Sequence, residues 1–299
     1  MKAAFITGVT GQDGSYLAEL LHDKGYDVFG MVRYAKGDTK YSAIEGDLTD
    51  GSRLRSIINS FEPYDLIEVY NMGGVSHVTR AFEQPEHTMN VAFGTLHILE
   101  AIRQTNFSSK FRVFQPASMD SENPRSVSQK LAKYYRQVYG IFTCIGYMAN
   151  HESERRRPEF VTRKITLGLS EWIKTKTPIE LGNINMKRDW GYAPEYVEHM
   201  WNCLQSPIPK DVYMSTGNVH TVRDFVNAAC EHLDIKIEWS GIGDDEVCFE
   251  LATGINIVKI NPELYRPNDN DISYVYSSEF QPKVSFEELV KKMVDNDCK

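Results

Sequence analysis

Residues Lys2–Thr7, Lys-Ala-Ala-Phe-Ile-Thr, run directly into Gly8-Val-Thr-Gly11-Gln-Asp-Gly14, and this stretch decides the fold of the 299-residue chain. A short apolar run ends in three glycines, and residues 15–24 then follow with a helical pattern. This order predicts a strand, a tight turn and a helix whose first N–H groups can bind a pyrophosphate. A glycine-rich surface loop is the competing interpretation, and the position between strand and helix argues against it.

Each glycine of the turn has a distinct expected role. Gly8 permits the tight turn, Gly11 lets the backbone approach the phosphates, and Gly14 lets the helix pack closely on the strand. We therefore expect the backbone of this turn to contact a dinucleotide through Gly8, Gly11, Gln12, Asp13 and Gly14.

The composition is that of an ordinary globular protein. Hydrophobic residues make up 41% and charged residues 25% of the chain, and no run approaches 18 consecutive apolar residues. The net charge is −8, and no basic stripe interleaved with aromatic residues occurs. We expect a soluble, cytoplasmic protein without a membrane segment or a nucleic-acid partner.

The cysteines and histidines predict neither a disulfide framework nor a metal site. The five cysteines are scattered singly and are odd in number. The eight histidines lack the i, i+4 spacing typical of a metal-binding helix. We expect reduced, mostly structural thiols and no bound metal.

Strand-like and helix-like segments alternate along the first half of the chain, at residues 27–32, 54–60, 66–70, 89–102, 111–115, 128–139 and 141–146. This alternation predicts an α/β fold of the Rossmann type, a doubly wound parallel sheet with helices on both faces. We expect residues 1–150 to form the nucleotide-binding domain, to which some later segments return. Residues 151–299 are expected to form mainly a smaller α/β substrate-binding part, with helices at 162–174, 194–205, 222–233 and 286–294 and an irregular stretch at 241–267.

The end of the second strand indicates which cofactor is bound. Arg33 stands where this fold places the residue that meets the adenosine ribose, and an arginine there can pair with a 2′-phosphate. This favours NADP, although Arg33 could equally be a solvated surface residue. Asp47 and Leu48 are expected beside the adenine, and Asn71 and Gly73 beside the cofactor at the end of the next strand.

Several longer strings resemble the GDP-mannose 4,6-dehydratases, a family of the extended short-chain dehydrogenase/reductases. The most specific are Asn150-His-Glu-Ser153 and Lys187-Arg-Asp-Trp-Gly191. Similar strings stand at 6–17, 46–50, 70–71, 76–78, 160–165, 181–183 and 265–267, so the resemblance spans nearly the whole chain.

The resemblance implies an NADP-dependent cycle that oxidises C4 of the hexose, eliminates water across C5 and C6, and returns the hydride to C6. By position, His151 and Arg156 would bind the nicotinamide nucleotide. The residues that would bind the GDP-sugar are Asn150, Lys164, Arg188 and Arg266. Arginine suits such contacts because its guanidinium binds phosphate oxygens in a bidentate manner.

The catalytic positions depart from the family pattern. The family has a tyrosine four residues before a lysine, whose charge lowers the pKa of the phenol so that it can take a proton. Lys130 stands at the lysine position, but Ser126 stands four residues earlier, and no Tyr-x-x-x-Lys occurs anywhere in the chain. Tyr134 is a candidate replacement, with a half-buried structural residue as the favoured interpretation.

A second departure lies in Ala117-Ser118-Met119-Asp120-Ser121-Glu122, where the family reads Ala-Ser-Thr-Ser-Glu. An ungapped comparison puts Met119 at the threonine. A shift of one residue brings Ser118 near that position and makes Glu122 the base. The candidate catalytic residues are therefore Lys130, Ser126, Ser118 and Glu122, and Lys130 is also expected to contact the cofactor.

Two functions remain open from the sequence. The chain is either a GDP-mannose 4,6-dehydratase with impaired or altered acid/base chemistry, or a catalytically silent homologue that binds NADP and a GDP-sugar as a regulatory or partner subunit. A different step on a related sugar nucleotide is a narrower third option. The resemblance also implies assembly through helices of the nucleotide domain, and because the segment after Arg33 is shortened, we expect a homodimer and leave the tetramer open.

Overall fold

The computed structural model describes residues 1–34, 41–74, 85–119, 126–265 and 274–299. The chain divides into two compact units. The first comprises Met1–Met148, Ala193–Met214 and Val275–Phe280, and the second comprises Ala149–Tyr192, Ser215–Tyr274 and Gln281–Lys299. The polypeptide therefore leaves the first unit after Met148 and returns to it twice.

The described strands, numbered along the chain, are β1 (Lys2–Thr7), β2 (Asp27–Val32), β3 (Ser42–Glu45), β4 (Leu66–Asn71), β5 (Phe111–Ser118), β6 (Thr143–Met148), β7 (Asn150–Glu152), β8 (Ile179–Leu181), β9 (Lys187–Tyr192), β10 (Asp211–Met214), β11 (Val219–Thr221), β12 (Ile237–Ser240), β13 (Val247–Glu250) and β14 (Asn256–Ile260). The described α-helices are α1 (Gln12–Asp23), α2 (Gly51–Asn59), α3 (Pro85–Arg103), α4 (Ser126–Tyr139), α5 (Val161–Thr175), α6 (Ala193–Gln205), α7 (Val222–His232) and α8 (Phe286–Asp297).

The first unit contains a parallel sheet in the order β10-β6-β5-β4-β1-β2-β3. The order 3-2-1-4-5-6 is that of dinucleotide-binding folds, so the predicted doubly wound α/β class is confirmed. Strand β10 extends this sheet beyond β6, and the sequence pattern did not predict it. None of the helices in the described ranges is long and apolar enough to span a lipid bilayer.

Apolar side chains cover both faces of this sheet. One face packs against α2, α3 and α4 through residues such as Leu54, Leu99 and Ala132. The opposite face packs against α1 and α6 through residues such as Leu17 and Met200. Because helices lie on both faces, the strands are nearly continuous apolar runs, as β1 shows with five buried residues in a row.

Strand β5 is longer than the predicted segment 111–115 and contains Pro116. Proline has no N–H to donate, and a central strand normally excludes it. Here β4 pairs with β5 only as far as Phe114, while β6 continues alongside to Ser118. The missing donor therefore lies beyond the point where β4 pairs with β5, and β5 carries Ser118 to the carboxyl edge of the sheet.

The second unit contains two small sheets, β11-β9-β7 and β12-β13-β14-β8. Its core is centred on the buried Trp172, whose indole N–H donates to Asn256 O at 2.8 Å. The prediction of an irregular stretch at 241–267 was wrong in part, because β13 and β14 form antiparallel pairs there. These strands are only four and five residues long, so their patterns are too short to separate from a turn.

The cysteines are unpaired thiols, and four of the five are buried. Burial raises the pKa of Cys203 and of Cys248 to about 12. Thiols with such a raised pKa are poor nucleophiles and poor metal ligands at neutral pH, so these residues act as small apolar core residues.

Candidate functional site

The turn between β1 and α1 is held by contacts that require glycine. Gly8 has φ +67°, and its carbonyl oxygen accepts a hydrogen bond from the Gly11 N–H at 2.9 Å. A Cβ on Gly14 would lie 2.3 Å from Gly8 O, closer than any real contact. The helix can therefore approach the strand this closely only with glycine at position 14, as the sequence predicted.

Two neighbouring loops meet this turn. A Cβ on Gly8 would lie 2.8 Å from Met72 O, and the Gly73 N–H donates to Thr7 Oγ1 at 2.9 Å. A Cβ on Gly73 would lie 2.8 Å from Leu48 Cδ1. The carboxyl end of the sheet therefore brings together the predicted residues Gly8, Leu48 and Gly73 from three separate loops.

Asn71 is part of a buried polar network beneath these loops. Its Oδ1 accepts from Thr7 Oγ1 at 2.9 Å, and its Nδ2 donates to Thr95 Oγ1 at 3.0 Å and to Gln115 Oε1 at 2.9 Å. The side chain is 2% exposed. Asn71 therefore joins the carboxyl ends of β1, β4 and β5 and supports the cofactor loops through the backbone. No sequence pattern indicated Thr95 or Gln115 as its partners.

Arg33 lies at the end of β2, close to Asp47. Their nearest atoms, Arg33 Nε and Asp47 Oδ2, are 3.4 Å apart, and the side chains are 69% and 44% exposed. Asp47 also accepts from the backbone N–H and the hydroxyl of Thr49. The Arg33 guanidinium is therefore accessible to solvent at the end of β2.

Two of the candidate catalytic residues lie at the N-terminal end of α4. Ser126 is the first residue of the helix and is 7% exposed, and Lys130 lies one turn later on the same helical face and is exposed. Ser118 ends β5, and the next residue, Met119, packs on the apolar core. Glu122 lies outside the described residues, as does Arg266 among the expected sugar-binding residues.

Tyr134 lies on an exposed surface of α4. Its side chain is 49% exposed, and its hydroxyl is 3.5 Å from that of Tyr139. The hydrogen bond with Tyr139 raises the pKa of Tyr134 above its usual value, which is the opposite of what a general base requires. This environment supports the structural interpretation of Tyr134.

In the second unit, β7 carries two of the expected binding residues, Asn150 and His151. His151 is 9% exposed, and its Nδ1 lies 2.8 Å from Ala149 O. Because a carbonyl oxygen can only accept, Nδ1 carries the proton. This contact fixes the orientation of the imidazole ring.

The expected sugar-binding cations of this unit lie on α5 and β9. Lys164 is half-buried in the first turn of α5, and burial lowers its pKa from the usual value, with Glu180 opposing the shift. Arg188 lies in β9, and its Nη1 donates to Lys187 O at 2.7 Å. Both side chains are positioned by regular secondary structure.

Asp189, which the sequence did not single out, stabilises the strand that carries Arg188. It is fully buried and accepts from the N–H and the hydroxyl of Thr216 and from the N–H of Gly217. Burial raises the pKa of Asp189 despite these hydrogen bonds. Asp189 directly follows Arg188 in the sequence, and nothing in that pattern indicates that the Asp189 side chain is buried.

The glycine turn fits a dinucleotide. Only hydrogen stands where a Cβ of Gly11 or Gly14 would enter the turn. Helix α1 starts at Gln12 with no side-chain cap, and the first N–H groups of a helix have no acceptor within it. The residues present can therefore hold the pyrophosphate of a nicotinamide dinucleotide.

Solved structures of two other proteins have the same fold. UDP-glucose 4-epimerase from Thermus thermophilus, in complex with NAD, has a TM-score of 0.76 at 20% identity, covering 99% of this chain and 98% of its own. The dTDP-glucose 4,6-dehydratase DesIV from Streptomyces venezuelae, with NAD bound, has a TM-score of 0.76 at 16% identity, covering 99% and 96%. The chain thus shares a Rossmann-type fold with these two proteins.

Sequence comparison defines the family. The family model described as GDP-mannose 4,6 dehydratase matches residues 5–121 and 125–293. The GDP-mannose 4,6 dehydratase of Drosophila melanogaster is 40% identical over 342 residues, covering 99% of this chain and 86% of the relative. The human enzyme is 35% identical over 344 residues, covering 99% and 91%. The chain belongs to the GDP-mannose 4,6-dehydratase family.

These alignments are longer than the chain itself, so the relatives contain segments that this protein lacks.

We predict that alanine at Gly14 mainly lowers stability, whereas alanine at Gly11 mainly weakens dinucleotide binding. Gly14→Ala should lower the free energy of unfolding by about 3 kcal/mol, because the added methyl group meets the Gly8 carbonyl. Gly11→Ala, whose Cβ would lie 3.2 Å from the same oxygen, should cost only about 1 kcal/mol. It should also weaken binding of a nicotinamide dinucleotide about tenfold, because we expect the phosphates to approach the backbone at this position.

Thermal unfolding and NADPH fluorescence titration measure the two effects. Equal stability loss in both variants would contradict the assigned roles.

Proposed function

We propose that the protein binds NADP and GDP-mannose and converts GDP-mannose to GDP-4-keto-6-deoxymannose, as a hydro-lyase with weakened acid/base catalysis. Membership of the dehydratase family supports the reaction. The substitution of the tyrosine position by Ser126 next to Lys130 supports the weakened chemistry. The binding residues and the catalytic residues thus differ in how well they match the family.

The cofactor site is proposed around the glycine turn, with the backbone of Gly8–Gly14 holding the pyrophosphate. Bound there, the nicotinamide supplies a hydride acceptor for C4 and a hydride donor for C6. Lys130, His151 and Arg156 are proposed to bind the nicotinamide nucleotide. Asn150, Lys164, Arg188 and Arg266 are proposed to bind the GDP-sugar, where their side chains supply hydrogen-bond donors and positive charge for the diphosphate.

NADP, rather than NAD, is proposed as the cofactor because of Arg33. The guanidinium is accessible, and its distance of 3.4 Å from Asp47 is a loose ion pair. An exposed pair of this kind contributes less than about 1 kcal/mol, so the arginine can turn to a 2′-phosphate at little cost. The epimerase and dehydratase structures named above contain NAD. For this chain, the proposal of NADP instead of NAD rests on Arg33.

The acid/base step is where the proposed enzyme is weakened. A phenol next to an ammonium group can release its proton near neutral pH, but a serine hydroxyl cannot, because its pKa lies far higher. Ser126 can still orient a sugar hydroxyl, and the Lys130 ammonium can still stabilise negative charge on its oxygen. We therefore expect the Ser126–Lys130 pair to bind the reacting hydroxyl without deprotonating it efficiently.

The alternative function is a silent homologue that binds both ligands as a regulatory or partner subunit. The observation that favours it is the loss of two catalytic side chains in one site, at Ser126 and Met119, while cofactor-loop residues remain. The family relationship supports the dehydratase more directly. Product formation distinguishes the two functions, since both require binding.

Assembly as a homodimer is proposed through α3 and α4. These helices expose large apolar side chains, namely Phe93, Tyr134, Val138 and Tyr139, each between 44% and 55% exposed. An apolar surface of this kind on two adjacent helices is typical of an interface between identical subunits.

We expect the protein to turn over GDP-mannose slowly. Purified protein incubated with GDP-mannose and NADP should form the 4-keto-6-deoxy product at a rate about 10²–10⁴-fold below that expected with an intact tyrosine base. Ser126→Tyr combined with Met119→Thr should raise the rate at least about tenfold. The matched control, Ser126→Phe with Met119→Thr, supplies the ring without the phenol and should give no gain.

Product can be followed by mass spectrometry. Binding of both ligands without product in any variant would favour the silent homologue, and binding of neither would refute both functions.

We expect Arg33 to determine the preference for NADPH over NADH. Arg33→Ser should weaken NADPH binding about tenfold and leave NADH binding unchanged, because only NADPH carries the 2′-phosphate. Arg55→Ser, an exposed arginine on α2, serves as the control and should alter neither. Fluorescence titration with both nucleotides measures the effect, and equal losses for the two would remove the assignment to NADP.

We expect the protein to assemble as a homodimer. The protein should have twice the chain mass of 34.2 kDa in solution. Phe93→Lys with Val138→Lys should give the monomer, because burying two ammonium groups in an apolar interface is costly. Ile173→Lys, at a 44% exposed position in the second unit, should remain dimeric. Light scattering measures the mass, and a monomeric unmodified protein would exclude this interface.

A further inference from the structure

A buried carboxylate lies beside Arg156 in the second unit. Glu152, the last residue of β7, is 1% exposed, and β7 pairs in parallel with β9. The hydroxyl of Thr162, itself fully buried, donates to Glu152 Oε2 at 2.6 Å. Glu152 is therefore fixed by the neighbouring helix α5 as well as by its own strand.

The same carboxylate oxygen lies 3.1 Å from Arg156 Nε. The Arg156 guanidinium also stacks on Phe160, with 3.6 Å between its central carbon and the ring centroid. Its side chain is 15% exposed. The guanidinium is thus attracted by charge at its Nε edge, where the ion pair does not reach hydrogen-bond geometry, and is held across its plane by an aromatic ring. Within the described ranges, no residue accepts a hydrogen bond from its two Nη atoms.

The charge of Glu152 makes this arrangement informative. A negative charge beside Arg156 reduces the positive potential that a phosphate experiences, so electrostatics alone would make Glu152 unfavourable for binding a phosphate. Burying a carboxylate is also costly without good partners. In compensation, Glu152 can hold the Arg156 side chain, which otherwise has several rotatable bonds, in a single orientation.

We propose that Glu152 is a positioning residue: it orients the Arg156 guanidinium so that both Nη groups can donate to a phosphate of the nicotinamide half of the cofactor. This inference rests on the proposed function, in which Arg156 binds that half. Thr162 supports the arrangement because its hydroxyl fixes the carboxylate, and Phe160 supports it by limiting rotation of the guanidinium plane.

Loss of the orienting contact and loss of the negative charge change the affinity for NADPH in opposite directions. Glu152→Gln should weaken NADPH binding about tenfold if orientation dominates, whereas loss of a negative charge alone would strengthen it. Adenosine 2′,5′-bisphosphate lacks the nicotinamide half and should bind Glu152→Gln as tightly as the unmodified protein. Calorimetric titration of the full chain with both ligands measures these affinities.

Two further variants separate positioning from simple folding. Thr162→Val keeps the shape of the side chain but removes the hydroxyl, and should weaken NADPH binding about threefold with bisphosphate binding unchanged. Arg156→Gln and the double variant Glu152→Gln with Arg156→Gln should bind NADPH equally, because Glu152 acts only through the arginine.

Each result decides the inference. Unchanged or tighter NADPH binding by Glu152→Gln overturns it, and so does an equal loss for both ligands, which indicates a general folding defect. If Glu152→Gln does not fold, Thr162→Val decides by the same comparison. Failure of the unmodified protein to bind either ligand would instead refute the proposed function.

Discussion

The close approach of α1 to the end of β1 is the constraint on which the nucleotide-binding unit depends. Gly14 packs so closely on the Gly8 carbonyl that a Cβ at position 14 would overlap with it. Gly8 packs equally closely on the loop that follows β4. These contacts place the start of the helix at the carboxyl edge of the sheet, where its first N–H groups are available to bind an anionic ligand. The Asn71 network below them joins three strand ends, so the loops above rest on a rigid polar layer.

The proposed site combines binding residues that match the family with catalytic positions that do not. Binding depends on backbone geometry and on cations distributed over several elements, so the loss of one contact weakens it gradually. Proton transfer depends on a single group with a suitable pKa at a defined position. On the proposed assignment, a serine at position 126 would change the rate far more than the affinity.

The sequence predicted the first unit well because parallel strands between helices give long apolar runs, and β2 was predicted to the residue at 27–32. The glycine turn was also predictable, since its spacing reflects steric necessity. Some later segments were expected to return to this unit, but no local pattern identifies them as residues 193–214 and 275–280, because their return depends on contacts far apart in sequence. Likewise, Asp189 and Glu152 look like ordinary charged residues, and only the fold shows that both are buried and paired.

The way in which the polypeptide passes between its units has a consequence for biosynthesis. The edge strand β10, helix α6 and Phe280 belong to the first unit, yet all are synthesised after Met148, where the chain first leaves that unit. A nascent chain that ends near Met148 therefore exposes the apolar sheet surface that Tyr196, Met200 and Phe280 later cover. The first unit can complete its core only after residues 275–280 have been synthesised, so its form before that point exposes apolar surface that favours aggregation or chaperone binding.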